Sequence, residues 1–200
     1  MKTILAVVLA GLGCVSSAFA QLVFLYDQES ANESTGGGGA TGIQASTPVG
    51  QSFTPQFSSV SFIRLKLHDV NVGNDLGATL TISLRTNSIT GPILGFSDPV
   101  VLPDTFNGYP DFLFSTPVSV TPGVTYFFQP LVETGDAWAI AGYNYEYSGG
   151  TAFVNGVALL GSDLWFREGV VVPEPGTSAL GLLGAGTMFW FFHRRRHRSA

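Results

Sequence analysis

The residues that could perform chemistry are few and scattered. His68 is the single histidine between residues 21 and 172, at the polar end of a predicted strand. A serine–histidine–aspartate arrangement would need distant residues, because the chain has no Gly-x-Ser-x-Gly nucleophile elbow. The thirteen acidic residues of this span lack any flanking pattern that marks a catalytic pair. We therefore assign no catalytic residue and expect a non-enzymatic protein, with a secreted hydrolase as a less favoured alternative.

A loop rich in Asp and Asn could hold a metal ion. Asp69, Asn71, Asn74 and Asp75 place oxygen ligands at short spacing after a strand, as calcium sites in β-sandwiches often do. The spacing does not match an EF-hand, and Asp and Asn also favour plain turns. Two interpretations remain, a calcium site at Asp69, Asn71 and Asp75 or an ordinary turn. We expect no other cofactor.

An aromatic stretch follows Trp138. Tyr143, Tyr145 and Tyr147 alternate along the chain, so a regular strand would place all three on one face as a platform for sugar rings. Packing over the edge of the core, or across strands against the many phenylalanines, is favoured, because aromatic residues form cores more often than they line binding sites. Carbohydrate binding through Trp138 and the three tyrosines is thus an alternative function.

The sequence predicts that β-strands position these residues. Ala78–Arg85 alternates between apolar and polar residues, which predicts one buried and one wet face. Val60–His68 nearly repeats this pattern, with leucines facing inward at Leu65 and Leu67 and polar residues facing outward at Arg64, Lys66 and His68. Further short strands are marked by Phe112 and Phe114, Val118 and Val120, and Tyr126 and Phe128.

Turn signals separate these strands. Asn155-Gly156 predicts a type I′ hairpin, and Pro122-Gly123 suits a type II turn. Gly36–Gly39 predicts a flexible loop, since no Gly-Lys-Ser/Thr follows to make it a phosphate-binding loop. About ten short strands at this spacing predict an all-β fold, a two-sheet β-sandwich of jelly-roll type, over residues 21–171.

The first twenty residues have the pattern of a secretory signal peptide. Lys2 precedes the apolar run Ile4–Leu12, and Ala18-Phe19-Ala20 forms a small-x-small cleavage site. We expect export by the Sec translocase and cleavage by signal peptidase. Cys14 raises a rival lipoprotein interpretation, which Gly11 disfavours because a lipobox carries a large aliphatic residue there. The expected mature chain has no cysteine, which excludes disulfides and thiol chemistry.

Charge is divided unevenly along the chain. Residues 21–172 contain four basic and thirteen acidic residues, whereas the C-terminus carries Arg194, Arg195, Arg196 and Arg198. An acidic body repels nucleic acid and anionic membranes, so we exclude nucleic-acid binding.

The C-terminus reads as a membrane segment. Thr177–Phe192 is free of charge and would form about 24 Å of helix, which the following arginines extend by snorkelling. Arginines directly after an apolar run stay cytoplasmic, so the body would lie outside. Pro173 and Pro175 prevent the helix from continuing upstream.

These features resemble a known sorting domain. The sorting motif runs Val172, Pro173, Glu174, Pro175, Gly176 and Thr177. An apolar stretch and the arginine cluster follow, so that residues 172–198 resemble the PEP-CTERM sorting domain, also described as the ice-binding protein C-terminal motif. The resemblance implies an exported protein of a Gram-negative bacterium that an exosortase cuts after transient anchoring in the inner membrane. It also implies a place at the cell surface or in a biofilm matrix with exopolysaccharide, and it implies nothing about ice.

The body is similar, more weakly, to β-sandwich domains of bacterial surface proteins. The segments that carry this resemblance are Gly50–Thr54, Thr121–Tyr126, Tyr147–Gly150 and Asp163–Arg167. The resemblance implies the fold and supplies no catalytic residue. We therefore expect a structural or adhesive role in the extracellular polymer layer.

Overall fold

The computed structural model describes residues 22–36 and 38–173, to which all structural statements refer. The chain divides into two units, Phe24–Val172 and a second formed by Met1–Val23 with Pro173–Ala200. The first unit is the β body. The expected signal peptide with its Ala18 and Ala20 cleavage site, and the expected C-terminal membrane helix with its arginines, lie outside the described residues. No helix of the described residues is long and apolar enough to cross a membrane.

The described residues form sixteen β-strands and no helix. The strands are β1 (Leu22–Glu29), β2 (Gly39–Gly42), β3 (Gly50–Phe53), β4 (Ser59–Leu65), β5 (Leu67–Asp69), β6 (Ala78–Thr86), β7 (Ile93–Phe96), β8 (Val100–Leu102), β9 (Asn107–Gly108), β10 (Asp111–Ser119), β11 (Tyr126–Gly135), β12 (Trp138–Tyr145), β13 (Ala152–Val154), β14 (Val157–Leu159), β15 (Asp163–Leu164) and β16 (Phe166–Pro173). The all-β class expected from the sequence is confirmed.

Three sheets form where the sequence led us to expect two. A four-stranded sheet has the order β1-β16-β4-β10, and a seven-stranded sheet runs β14-β13-β3-β11-β6-β7 with β8 also on β6. A five-stranded sheet runs β15-β12-β5-β9, with β2 on the other edge of β12. The chain passes between the four- and five-stranded sheets at two places. A single residue separates the strands at each of them, Lys66 between β4 and β5 and Trp165 between β15 and β16. Ala141 connects these two linking residues through hydrogen bonds. Its N–H donates to the Lys66 carbonyl (3.0 Å), and its carbonyl accepts from the Trp165 N–H (2.9 Å).

One hydrophobic core collects side chains from all three sheets. Phe166 of the four-stranded sheet packs on Phe128 and Phe53 of the seven-stranded sheet, with ring centroids 5.4 and 6.4 Å apart. Leu65 and Leu67 are fully buried in this core, as their alternation predicted. Burial of this kind contributes about 25 cal/mol per Å² of apolar surface and dominates the stability of such a fold.

The alternating segment Ala78–Arg85 forms the central strand β6. The prediction that its polar residues face solvent is wrong. Thr81 and Ser83 are buried on that face. The Thr81 hydroxyl donates to Glu133 on β11 (3.0 Å), and the Arg85 side chain folds back to donate to the Ser83 hydroxyl (3.1 Å). The long side chains of Glu133, from the neighbouring strand β11, and of Arg85 therefore cover the polar face of β6.

The predicted turns are confirmed at two places. Asn155 and Gly156 have φ of 53° and 74°, and they join β13 to β14 as the type I′ signal required. Gly123 has φ of 78°, which suits the second central position of a type II turn. The glycine-rich segment differs from the expectation, since Gly39 already belongs to β2.

A buried hydrogen-bond cluster ties the sheets together around Gln51 and Asp163, which are 0% and 4% exposed. The Gln51 amide donates to Asp163 Oδ1 (2.7 Å), and its Oε1 accepts from the Leu164 N–H (2.9 Å). Asp163 Oδ2 accepts from the Tyr147 N–H (2.9 Å), and the Tyr147 hydroxyl accepts from the Thr54 N–H (3.0 Å). Three of the four segments that resemble surface-protein sandwiches therefore meet in this cluster.

Gln51→Leu should destabilise the body by about 2–4 kcal/mol, because it leaves a buried carboxylate and a buried N–H without their partner. Urea unfolding followed by fluorescence measures the change. Gln56→Leu is the matched control, since the Gln56 side chain is exposed. Equal stability of both variants would show that the cluster does not hold the sheets together.

Candidate functional site: the C-terminal strand and its outer face

The C-terminal strand β16 is an integral part of the four-stranded sheet. It lies between β1 and β4, and its register places Phe166 opposite Leu65 and Gly169 opposite Phe62. Near its end the Val171 N–H donates to the Ser61 hydroxyl (2.6 Å). Since the sequence-predicted motif begins at Val172, the ordered body continues directly into the first residues of that motif.

The inner face of β16 carries a carboxyl group that has no hydrogen-bond partner of good geometry. Glu168 is 0% exposed, and neither of its side-chain oxygens is satisfied. Burial raises the pKa of Glu168 to about 9, and the neighbouring Asp27 carboxylate adds to the effect. Asp27 Oδ2 accepts the N–H groups of Gln56 (2.7 Å) and Phe57 (2.8 Å), which fixes its position. Glu168 is therefore protonated at neutral pH.

The outer face of the same sheet carries two arginines directly opposite each other. Arg64 on β4 pairs in register with Arg167 on β16. Asp111 binds Arg64 through two bonds, from Nε (2.6 Å) and Nη2 (2.8 Å), and Glu29 accepts from Arg167 Nε (2.7 Å). The bond to Asp111 raises the pKa of Arg64. Each arginine is thus held in place by a carboxylate of its own.

A third carboxylate bridges the two arginines. Glu33 accepts from Arg64 Nη1 at Oε1 (2.7 Å) and from Arg167 Nη1 at Oε2 (2.8 Å). Partial burial opposes ionisation of Glu33, but the bonds from the two arginines outweigh it and lower its pKa. The Arg167 guanidinium also lies 3.4 Å from the centroid of the Tyr26 ring. Two rigid arginines consequently present one N–H donor each to a single carboxylate.

An aromatic cluster lies beside this network, on the outer face of the five-stranded sheet. Trp165 and Tyr145 are buried there against Ala31 and Ala141, and Tyr109 covers them. The Tyr109 ring lies 4.5 Å from Trp165, and the Lys66 ammonium sits 5.7 Å from the Tyr109 ring. The Tyr109 hydroxyl donates to the Glu33 carbonyl (3.3 Å), which connects the cluster to the bridging carboxylate.

The tyrosine platform, the less favoured of the two alternatives, does not form. Tyr145 is 3% exposed in the aromatic cluster, and Tyr147 packs edge-on against Phe166 of the main core at 5.1 Å. Tyr143 adopts φ of 81° within an irregularity of β12, where its hydroxyl bonds to that of Thr41. The physical reason is this irregularity, which breaks the alternation that would place the tyrosines on one face.

Trp138 cannot contribute to a surface platform either. It is 0% exposed and packs against Phe106 with ring centroids 6.1 Å apart. The sequence placed it beside the tyrosines, but its side chain faces the main core. Of the four predicted aromatic residues, Tyr143 and Tyr147 retain partial exposure.

The predicted calcium loop is held by one hydrogen bond within the loop and by others to the neighbouring segments around Asp104 and Asp136. The Asp69 carboxylate accepts the N–H groups of Asn71 (2.8 Å) and Thr105 (2.9 Å), and the Asp75 N–H donates to Asp104 (2.8 Å). The Asn71 side chain donates to Asp136 (2.8 Å). The described part of the chain has no group of three or more His, Cys, Asp or Glu side chains that could hold a metal ion. Calcium binding stays a prediction.

His68 lies where the strand pattern placed it. It is half-buried on β5, in register between Ala139 of β12 and Asn107 of β9. This position points outward from the main core, like Arg64 and Lys66.

The pattern reasoning missed both Glu33 and Glu168. The alternation of Phe166, Arg167 and Glu168 along a strand could have predicted the burial of Glu168, because it places Glu168 on the same face as Phe166. No comparable signal marked Glu33, because a loop residue has no periodicity.

Comparison with known families decides the role of the C-terminus. Residues 171–196 match the model of a PEP-CTERM protein-sorting motif. The chain carries a PEP-CTERM motif. This motif implies exosortase-dependent sorting to the cell surface or the exterior. Comparison with curated proteins found no match for the chain. The PEP-CTERM motif thus starts on the last residues of β16, three residues after the buried Glu168.

Glu168→Gln should remove a pH dependence of stability. Because the folded pKa of about 9 exceeds the ordinary 4.5, the folded protein keeps a proton that the unfolded chain loses. The contribution of Glu168 to stability should therefore be most favourable below about pH 5 and decrease toward pH 9, by up to about 1.4 kcal/mol for each pH unit. Thermal unfolding between pH 5 and 9 measures this slope.

The matched control for this experiment is Glu146→Gln, since Glu146 is exposed. It should keep the wild-type slope, whereas Glu168→Gln should flatten it and raise the stability at pH 8. If Glu168→Gln kept the same slope, Glu168 would not be the group that titrates.

Proposed function

We propose that this PEP-CTERM protein is an exported, non-enzymatic structural or adhesive component of the extracellular polymer layer. Its first twenty residues direct export through the Sec translocase and are removed by signal peptidase. The apolar segment Thr177–Phe192 then anchors the chain in the inner membrane, with Arg194–Arg196 on the cytoplasmic side. An exosortase cuts near Pro173-Glu174-Pro175 and releases the β body, a jelly-roll-like sandwich, to the surface or the matrix.

The match at residues 171–196 is the observation that carries this proposal. The position of β16 supports it, because hydrogen bonds to β4 hold the body together up to Val171. Cleavage after Val172 would leave all of the hydrogen-bonded core intact. The body would therefore be a stable product of the cut, which a sorted surface protein must be.

Replacing Pro173, Glu174 and Pro175 by alanines should block cleavage and keep the protein in the inner membrane, because the enzyme loses the residues that it recognises. Intact mass, measured separately on the envelope and on the medium of the native host, distinguishes the products. The wild-type mass should end between Val172 and Thr177, and the variant mass should run to Ala200. Val72→Ala, in an exposed loop of the body, is the control and should be processed normally.

Two outcomes would contradict this sorting route. If the triple-alanine variant reached the surface with the wild-type mass, recognition through these residues would be wrong. If the wild-type protein ended at Ala200, the tail would be a permanent anchor and the body would act in the periplasm.

A further inference from the structure

We propose that Arg64 and Arg167 form a binding clamp for the carboxylates of an acidic polysaccharide, and that Glu33 occupies this clamp until a sugar carboxylate replaces it. The choice of a polysaccharide rests on the proposed extracellular function. The clamp itself rests on the geometry of the outer sheet face.

The two arginines are oriented without help from Glu33. Asp111 takes two N–H groups of Arg64, and Glu29 takes the Nε–H of Arg167. Both arginines are mostly buried, with side chains 18% and 14% exposed. The Nη1 group of each arginine remains for the bridging carboxylate, at 2.7 and 2.8 Å. A planar fork of this kind is suited to carboxylates, which accept one bond at each oxygen.

Glu33 is held less firmly than the arginines that it bridges. Its side chain is 36% exposed, and it lies in the exposed turn Asn32–Ser34. The main chain there is tied to the sheet by two long bonds of 3.3 Å, from Trp165 Nε1 to the Asn32 carbonyl and from the Tyr109 hydroxyl to the Glu33 carbonyl. This turn can therefore leave while the clamp keeps its shape.

The turn has a firm anchor on one side and an unobstructed glycine on the other. Ser30 bonds to Phe166 in both directions, since its N–H donates to the Phe166 carbonyl and its hydroxyl accepts the Phe166 N–H, both at 3.0 Å. Gly36 has no atom within 4 Å of the place where a Cβ would be. Ala31 is buried in the aromatic cluster, so displacement would be confined to residues 32–35.

The surroundings of the clamp suit a sugar ring that carries the carboxylate. Arg167 already covers one face of Tyr26, so half-buried Tyr109, beside Lys66, is the aromatic ring that a sugar would contact. Aromatic side chains offer the flat apolar surface on which sugar rings pack. Lys66 adds a positive charge for the carboxylate of an adjacent sugar.

The distribution of charge selects this face for an anionic polymer. Residues 21–172 contain four basic residues, and Arg64, Lys66 and Arg167 all lie around Glu33 and Tyr109. Ten of the thirteen acidic residues, all except Glu29, Glu33 and Asp111, lie outside this network, and their charge repels a polyanion. Occupation of the clamp by Glu33 shows which chemical group it accepts.

Binding of oligogalacturonate to the full chain in mild detergent tests the proposal, with the methyl-esterified oligosaccharide as the probe without charge. Glu33→Gln should bind oligogalacturonate about tenfold or more tighter than wild type, because the internal competitor is weakened. Adding Arg167→Lys to Glu33→Gln should abolish this gain, since a lysine cannot reproduce the fork. Glu146→Gln is the matched control and should bind like wild type.

Thermal unfolding of each variant checks that loss of binding is not loss of folding. A folded Glu33→Gln protein that does not bind oligogalacturonate, or that binds the methyl ester equally well, would overturn the proposal and leave a purely structural ion-pair network. Sorting is measured separately by intact mass in the host. Normal processing of Glu33→Gln without oligogalacturonate binding would reject the clamp and leave the proposed function standing.

Discussion

The buried contact between Gln51 and Asp163 is the constraint on which the rest of the body depends. It joins β3 of the seven-stranded sheet to β15 of the five-stranded sheet at 2.7 Å, and both side chains are buried. Burial raises the pKa of Asp163, and the bonds from Gln51 and Tyr147 oppose this effect. The orientation of Asp163 in turn sets the position of the segment that continues into β16. A polar contact inside an apolar core thus specifies how the layers align, because any other register would leave its groups unsatisfied.

Strand β16 connects this core to the sorting function. One face of it is buried through Phe166 and Glu168, the other carries Arg167, and its end enters the PEP-CTERM motif. The unsatisfied Glu168 carboxyl opposes folding whenever it is ionised, whereas Phe166, two residues earlier, packs on Phe128 and Tyr147 and stabilises the strand. The strand therefore combines a strong apolar anchor with a titratable weak point a few residues before the sorting motif.

The outer sheet face differs from the remainder of an acidic surface. Arg64 and Arg167 stand opposite each other, and like charges in that position repel unless carboxylates neutralise them. Asp111, Glu29 and Glu33 supply this neutralisation at 2.6–2.8 Å. Glu33 differs from the other two because it comes from a loop and bridges both arginines. This difference separates the fixed part of the network from the exchangeable part.

The sequence by itself determined the all-β class, the hairpin at Asn155-Gly156, the inward leucines Leu65 and Leu67, and the sorting motif. These features depend on neighbours along the chain, through alternation, turn chemistry or a contiguous motif. Only the tertiary structure decided that Trp138 and Tyr145 are buried, that Thr81 and Ser83 are covered, and that Glu33 meets Arg64 and Arg167. Each of these depends on strands or loops distant in sequence, and one irregularity at Tyr143 is enough to turn an alternating pattern away from the surface. Long-range pairing, which leaves no local periodicity, therefore decided the candidate site.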